Sequence, residues 1–321
     1  MQKKSEKSLH IGIFFVGALD KTGDKWYHYM NSMLEECTVV GRVIFVTAFK
    51  GGVGKTTVSS GIACALASLG KKVCVVDADF GMRCMDLVLG LSDAAMYDCS
   101  DVLTGTVGLS DALLQCPSAP GVWFLPAPIR YDGRPFERET VERVFSELRD
   151  MFDFCILDSS AELTGYYRLF ADAADDALVV TFHQTVSIRA AEKTAAHLAS
   201  FGHYNVKLVV NCFREEQAKK GTLPCLTEII LRSSVPLLGV VPRSEDLQED
   251  QEAVRLPLTG KGNAKLKPYE AALLNIASRL CGLTVPLWDG VEKPKRKKKC
   301  LLLRKKTAEQ ADNGRKVGAS V

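Results

Sequence analysis

Hydrophobic residues along the chain fall into short, nearly unbroken runs of β-branched and apolar side chains, separated by stretches with a helical repeat. The runs Val43–Ala48, Lys72–Asp77, Val122–Pro126, Phe154–Asp158, Ala177–Phe182, Val206–Asn211 and Leu238–Val241 predict strands. They are continuous rather than alternating, as strands are when both faces of a sheet are covered. Between the first two, Val58, Ile62, Leu66 and Leu69 share one face of a helix over Thr56–Leu69, with Gly70 as its stop. Further helices are predicted over Arg138–Asp150, Ser187–Phe201 and Lys267–Leu280. This alternation predicts an α/β fold, a mostly parallel sheet with helices on both faces. One domain over residues 41–285 fits, because no Pro/Gly/Ser-rich linker interrupts it. Residues 1–40 stand apart as an N-terminal extension in which Met30 or Met33 offers an alternative start, and residues 286–321 form a basic tail.

Chemistry enters where the first predicted strand ends. Val43-Ile44-Phe45-Val46-Thr47-Ala48-Phe49 runs into Lys50-Gly51-Gly52-Val53-Gly54-Lys55-Thr56-Thr57. The glycines let the backbone curl with its N–H groups inward, and the helix that follows aims its positive dipole end at the same point. Such a nest, the phosphate loop of P-loop NTPases, binds a polyphosphate. Lys55 reaches the β- and γ-phosphates and the Thr56 hydroxyl can ligate Mg²⁺, which makes ATP with Mg²⁺ the expected ligand. The strict pattern has Gly where this chain has Phe49; the alternative reading is a glycine-rich turn before a helix. Phe152-Asp153-Phe154-Cys155-Ile156-Leu157-Asp158 is an apolar strand ending in a lone acid, the Walker B form, with Asp158 holding Mg²⁺ through water. Asp77-Ala78-Asp79 leaves its strand at the carboxyl edge, where ligands bind in such folds, although a turn or helix cap is the alternative. Asn211 ends a late strand with an amide that can pair with adenine or simply serve a turn.

The segment Lys50-Gly51-Gly52-Val53-Gly54-Lys55-Thr56-Thr57 resembles the deviant Walker A motif of the MinD/ParA ATPases, marked by the second lysine, Lys50. The resemblance covers about Gly41 to Leu258. It implies that Lys50 crosses an ATP-sandwiched homodimer to the partner's nucleotide. It also implies that Asp79 orients the attacking water and touches the magnesium shell, and that Asn211 recognises the base. Tyr97-Asp98-Cys99-Ser100-Asp101-Val102-Leu103-Thr104-Gly105, with Arg83 and Met85-Asp86, is similar to the division-site branch of the family. That branch implies MinC- or MinE-like partners, or a polar scaffold. A ParA-like DNA-segregation ATPase and a flagellar or pilus localisation ATPase are the alternatives. Four positions depart from the family pattern: Cys84 stands where Asn is usual, Cys212 where Arg is usual, and Ser160 and Glu162 replace Pro and Gly after the Walker B acid. Without that proline, and with a carboxylate at Glu162 close to the expected γ-phosphate, the loop predicts slow basal hydrolysis or a sensor loop that moves differently.

Charge changes the picture at the chain's end. The 321 residues carry 41 Lys+Arg against 38 Asp+Glu, a net +3. Lys293–Val321 holds 11 basic residues against Glu309 and Asp312, a surplus of nine, so the preceding 292 residues carry −6. A uniformly basic protein that coats nucleic acid is thereby disfavoured; an acidic globule with a cationic tail remains. Each basic residue near an anionic leaflet contributes about 1 kcal/mol, and two tails in a dimer gain by avidity. The tail therefore predicts peripheral binding to anionic lipid on the inner face of the cell membrane, with a solvated or nucleic-acid-binding arm as the alternative. Its apolar part, Cys300–Leu303, is four consecutive residues that sweep most of a helical turn instead of forming a stripe. The longest apolar run, Ile11–Leu19, falls short of the roughly 20 residues of a membrane span. Lys3, Lys4 and Lys7 before it mimic a secretory signal, but Asp20-Lys21 follows where small residues would be needed for cleavage. With 11 cysteines and no Cys-x-x-Cys spacing, the chain reads as reduced and cytoplasmic, without a zinc site.

Overall fold

The computed structural model describes residues 41–259 and 265–287. The N-terminal extension and the basic tail past Leu287 lie outside the described residues. Among those described, eight strands form one sheet: β1 (Arg42–Thr47), β2 (Val73–Ala78), β3 (Leu114–Gln115), β4 (Val122–Leu125), β5 (Phe154–Ser159), β6 (Asp176–Phe182), β7 (Val206–Phe213) and β8 (Leu237–Pro242). Eleven helices accompany them: α1 (Lys55–Ser68), α2 (Met85–Leu89), α3 (Cys99–Leu103), α4 (Leu109–Ala112), α5 (Arg138–Met151), α6 (Tyr167–Asp172), α7 (Thr185–Ser200), α8 (Glu215–Lys220), α9 (Leu226–Ser233), α10 (Glu245–Glu252) and α11 (Pro268–Leu280).

Strand order is β3-β4-β2-β5-β1-β6-β7-β8, and every pairing is parallel except β3 with β4. All seven predicted strands are present, within a residue or two at most ends. The exception is two-residue β3, too short to leave a hydrophobic pattern. The four predicted helices correspond to α1, α5, α7 and α11. The other helices span at most eight residues, too few turns for a repeat to stand out.

Successive strand residues face opposite sides of the sheet. Phe45, Val76, Leu125 and Leu157 pack with Phe145, Leu148, Phe170 and Ile188 of α5, α6 and α7 on one side. Ile44, Val75, Phe124 and Ile156 pack with Ile62 and Leu66 of α1 and Tyr269 and Ile276 of α11 on the other. Each of these side chains is at most 1% exposed, and burying one contributes about 1.5–3 kcal/mol. Two buried faces explain why β2 and β5 are apolar without alternation up to their acids, Asp77 and Asp158. The chain fills one side of β1 with β2, β4 and β5 before crossing to β6, β7 and β8 on the other. A crevice at the carboxyl end of β1 is the consequence, and the loops leaving β1, β2, β5, β6 and β7 all emerge at that edge.

Candidate functional site

The loop between β1 and α1 turns on two left-handed glycines, Gly52 (φ 72°) and Gly54 (φ 84°). A Cβ on Gly54 would also lie 2.3 Å from Asn211 Nδ2, so that position admits no side chain. Phe49 is not among the described residues with positive φ, which removes any need for the glycine of the strict pattern there. Its N–H donates to Thr194 Oγ1 (3.1 Å), and its ring lies 5.3 Å edge-on from His197 and 6.1 Å from Tyr167. The mismatch thus fastens the first half of the loop to α7. Gly54 caps α1, whose first N–H groups, on Lys55, Thr56 and Thr57, have no intrahelical acceptor and lie at the positive dipole end. Lys55 is 8% exposed, an ammonium brought inside for an anion to meet. Lys50 lies at the loop's rim with its Nζ 5.8 Å from the centroid of Phe182 at the end of β6.

Three carboxylates stand at the same edge. Asp158, 1% exposed, accepts from Thr56 Oγ1 (2.7 Å) on one oxygen and from Ser59 Oγ (2.8 Å) on the other. Burial pushes its carboxyl up to about 6, against the pull of those two hydroxyls and of Lys55. Asp77 sits beside it in register on β2 and accepts the N–H groups of Asp79 (3.0 Å) and Met85 (3.3 Å). Burial, and then the charge of Asp158, push Asp77 up to about 8. Asp79 lies half-buried just past the strand, its Oδ1 accepting the Met82 N–H (3.2 Å). Cys84 donates to the Met82 carbonyl (3.6 Å), a bond inside the same loop.

This donor set fits a magnesium nucleotide. The Thr56 proton is committed to Asp158, so the hydroxyl has only lone pairs left to offer a cation. Two buried carboxylates held at raised pKa are what a site looks like when it is shaped for a positive charge. Mg²⁺ there would neutralise phosphate charge. Thr56 would hold it directly, and Asp79 and Asp158 through water.

Asn211 is brought to the loop, but its amide is already engaged. Nδ2 donates to the Val53 carbonyl (3.0 Å) and Oδ1 accepts the Cys212 N–H (2.8 Å). β7 continues past the predicted end to Phe213, with Cys212 at φ 52° and a register shift against β8 between Val210 and Phe213. That irregularity re-aims the side chain beneath the loop. In the loop after β5, Ser160 Oγ accepts the Glu162 N–H (3.1 Å), a hydroxyl turn where the family has a rigid proline, and Glu162 is exposed. Sequence reasoning did not single out Ser59, although it lies one helical turn from Thr56 on the same face, a readable spacing. Gln251 of α10, which donates to Thr57 Oγ1 (3.0 Å), left no such signal.

A strand–loop–helix cradle with an inward lysine, a hydroxyl locked to a Walker B acid and acids at the neighbouring strand ends define a P-loop nucleotide-triphosphate hydrolase. The profile of the CobQ/CobB/MinD/ParA nucleotide binding domain family matches residues 44–257. The septum site-determining protein MinD of Thermotoga maritima is 34% identical over 251 residues, 77% of this chain and 91% of that protein. Among solved structures, the MinC:MinD cell division protein complex of Aquifex aeolicus superposes with a TM-score of 0.68 at 30% identity, over 77% of this chain and 98% of that one. The Pyrococcus furiosus cell division ATPase MinD gives 0.64 at 26%, over 76% and 100%. The chain belongs to the CobQ/CobB/MinD/ParA family and, within it, is a MinD-like ATPase. No helix among the described residues is long and apolar enough to cross a membrane.

Proposed function

We propose that this chain is an ATP-operated switch for placing the division septum: it binds Mg²⁺–ATP, dimerises, docks on the inner membrane face through its basic tail, and engages a MinC-like partner. The observation that carries the reading is the Thr56–Asp158–Ser59 arrangement under the glycine cradle, with Lys55 buried beside it. In it Lys55 answers the charge that develops on the β- and γ-phosphates, and Asp79 orients the water. The loop N–H groups of residues 51–57, Gly51, Gly52 and Val53 included, cradle the phosphates. Lys50 reaches the nucleotide of the second subunit, which ties hydrolysis to dimerisation. Residues 41–285 serve as the ATPase domain and 286–321 as the anchor, supported by the tail's surplus of nine positive charges over an acidic body. The partner class rests on the MinC:MinD complex of the Aquifex relative.

Sedimentation with anionic vesicles tests this. More pelleting with ATP than with ADP, lost in a chain ending at Leu287 and weakened by salt, is the expected result. Equal pelleting in all three cases, or ATP-dependent retention on DNA without lipid binding, would overturn it.

A further inference from the structure

Asp79 is followed at once by Phe80, and Phe80 is the hub of a lattice of rings drawn from several separate segments. Its centroid lies 4.5 Å from Tyr166, 5.1 Å from Tyr131, 6.0 Å from Phe136 and 6.1 Å from Phe170. Tyr166 in turn lies 5.2 Å from Phe170 and 5.8 Å from Tyr131, while Tyr131 and Phe136 stack at 5.3 Å. Phe80 comes from the loop after β2, Tyr131 and Phe136 from the segment after β4, and Tyr166 from the loop after β5; Phe170 belongs to α6. Three adjacent strands of the sheet, β4-β2-β5, therefore have their exit loops joined by aromatic contact. Phe80, Phe136, Tyr166 and Phe170 are each at most 8% exposed, whereas Tyr131 closes the lattice half-buried from outside.

The lattice is more than loop packing because of what its members adjoin. Asp79 is held on its strand side by Asp77, which accepts its N–H. On its other side the next residue is in the lattice. The loop after β5 carries Ser160 and Glu162 and ends in Tyr166. Burial pushes the Tyr166 hydroxyl up to about 12, and its ring, 4.5 Å from that of Phe80, is the nearest ring contact Phe80 makes among the described residues. Edge-to-face and offset contacts are directional, so five rings linked by them define an arrangement more closely than aliphatic packing would. Displacing a water-positioning group by about 1 Å costs on the order of 100-fold in rate.

We propose that Tyr166 is a positioning residue for hydrolysis: through its contact with Phe80 it couples the loop after β5 to the loop carrying Asp79 and sets where that carboxylate stands. The proposal rests on the assignment of Asp79 to water orientation. It adds that the placement is enforced from the β5 side, so that whatever moves the Ser160–Tyr166 segment moves Asp79.

The test compares Tyr166→Phe, Tyr166→Leu and the peripheral Tyr131→Leu in the full chain, reading steady-state kcat and KM, nucleotide affinity by titration with a fluorescent ATP analogue, and melting temperature. Tyr166→Leu is expected to lower kcat about tenfold while nucleotide affinity stays within about twofold. Tyr166→Phe, which keeps the ring, should recover most of that rate. Tyr131→Leu, which opens only the half-buried side, should lower kcat about threefold and keeps the proposal testable if Tyr166→Leu does not fold. Unchanged kcat in both leucine variants overturns it. So does a loss of affinity parallel to the loss of kcat, or a Tyr166→Phe rate no better than Tyr166→Leu. A wild-type chain without ATPase activity would instead refute the nucleotide reading itself.

Discussion

Asn211 is the residue for which a role read from resemblance and the observed contacts lead to different experiments. If it reads adenine, Asn211→Ala weakens ATP and leaves GTP alone. If it holds the loop, as its bond to the Val53 carbonyl indicates, the variant weakens both alike. Truncation leaves two backbone groups without their partner, the Val53 carbonyl and the Cys212 N–H, in surroundings where Asn211 is 3% and Val53 1% exposed. A fully buried orphan costs about 1–3 kcal/mol. Gly54 beside them is partly open to water, which argues for the low end, about 1 kcal/mol each and about 2 kcal/mol together. Part of that loss appears as lower stability and part as a smaller population of the binding-ready loop. If all of it fell on the loop, affinity would drop about 30-fold, which is the ceiling. The assay is competition binding of ATP, ADP and GTP to wild type and variant, with melting temperatures alongside. Equal losses for all three nucleotides support the loop-holding role. A loss confined to adenine nucleotides, or no change in either affinity or melting temperature, refutes it.

The buried acids make the nucleotide-free protein sensitive to pH. Asp77 is pushed from 3.8 to about 8 and Asp158 from 3.8 to about 6, so between those values the folded chain keeps protons that the unfolded chain releases. Their contribution to stability is therefore fully present below about pH 4 and falls as pH rises towards 8. Melting temperature measured in EDTA should decline over that range, and Asp77→Asn should remove most of the slope between pH 6 and 8; an identical slope in the variant would count against the assignment. Lys55→Ala should abolish ATP binding. Lys50→Ala should spare binding yet remove partner-stimulated hydrolysis, and a normal stimulated rate would sink the crossing-lysine role. Glu162→Gly should speed basal turnover about fivefold, since a carboxylate at contact distance from another anion costs about 1 kcal/mol even in water; unchanged turnover argues against charge at this loop as the brake.

What was legible in the sequence was local. The loop at 50–57 and the strand ending at Asp158 announce themselves because strand, turn and helix follow one another within a few residues, and their meeting at one edge is forced by parallel pairing. The grip of Asn211 on Val53 was not legible, because it accompanies an irregularity at Cys212, where β7 shifts register against β8. The ring lattice was invisible for a related reason. Phe80, Tyr131 and Tyr166 sit in loops without hydrophobic period, and only the β4-β2-β5 order brings them together. Phe49 looked like a defect in a motif until its backbone proved not to need a glycine.

These non-local contacts act in one direction. Phe49 fastens the start of the phosphate loop to α7, Asn211 holds its middle from β7, and Gln251 reaches the first turn of α1 from α10. Asp77 and the ring lattice do the same for the loop of Asp79. Contacts that restrain the cradle from outside the loop lower the binding energy that must be spent on ordering it. The signal that distinguishes ATP from ADP must then come from parts that these contacts leave free. Lys50, whose ammonium among the described residues has only the outer reach of the Phe182 ring at 5.8 Å, is one. The exposed stretch at Glu162 and Leu163 is the other, and Tyr166 joins it through the Phe80 ring to the loop of Asp79. A variant that loosened the cradle would mainly lose affinity, whereas one that altered either free part would mainly lose the coupling of hydrolysis to assembly.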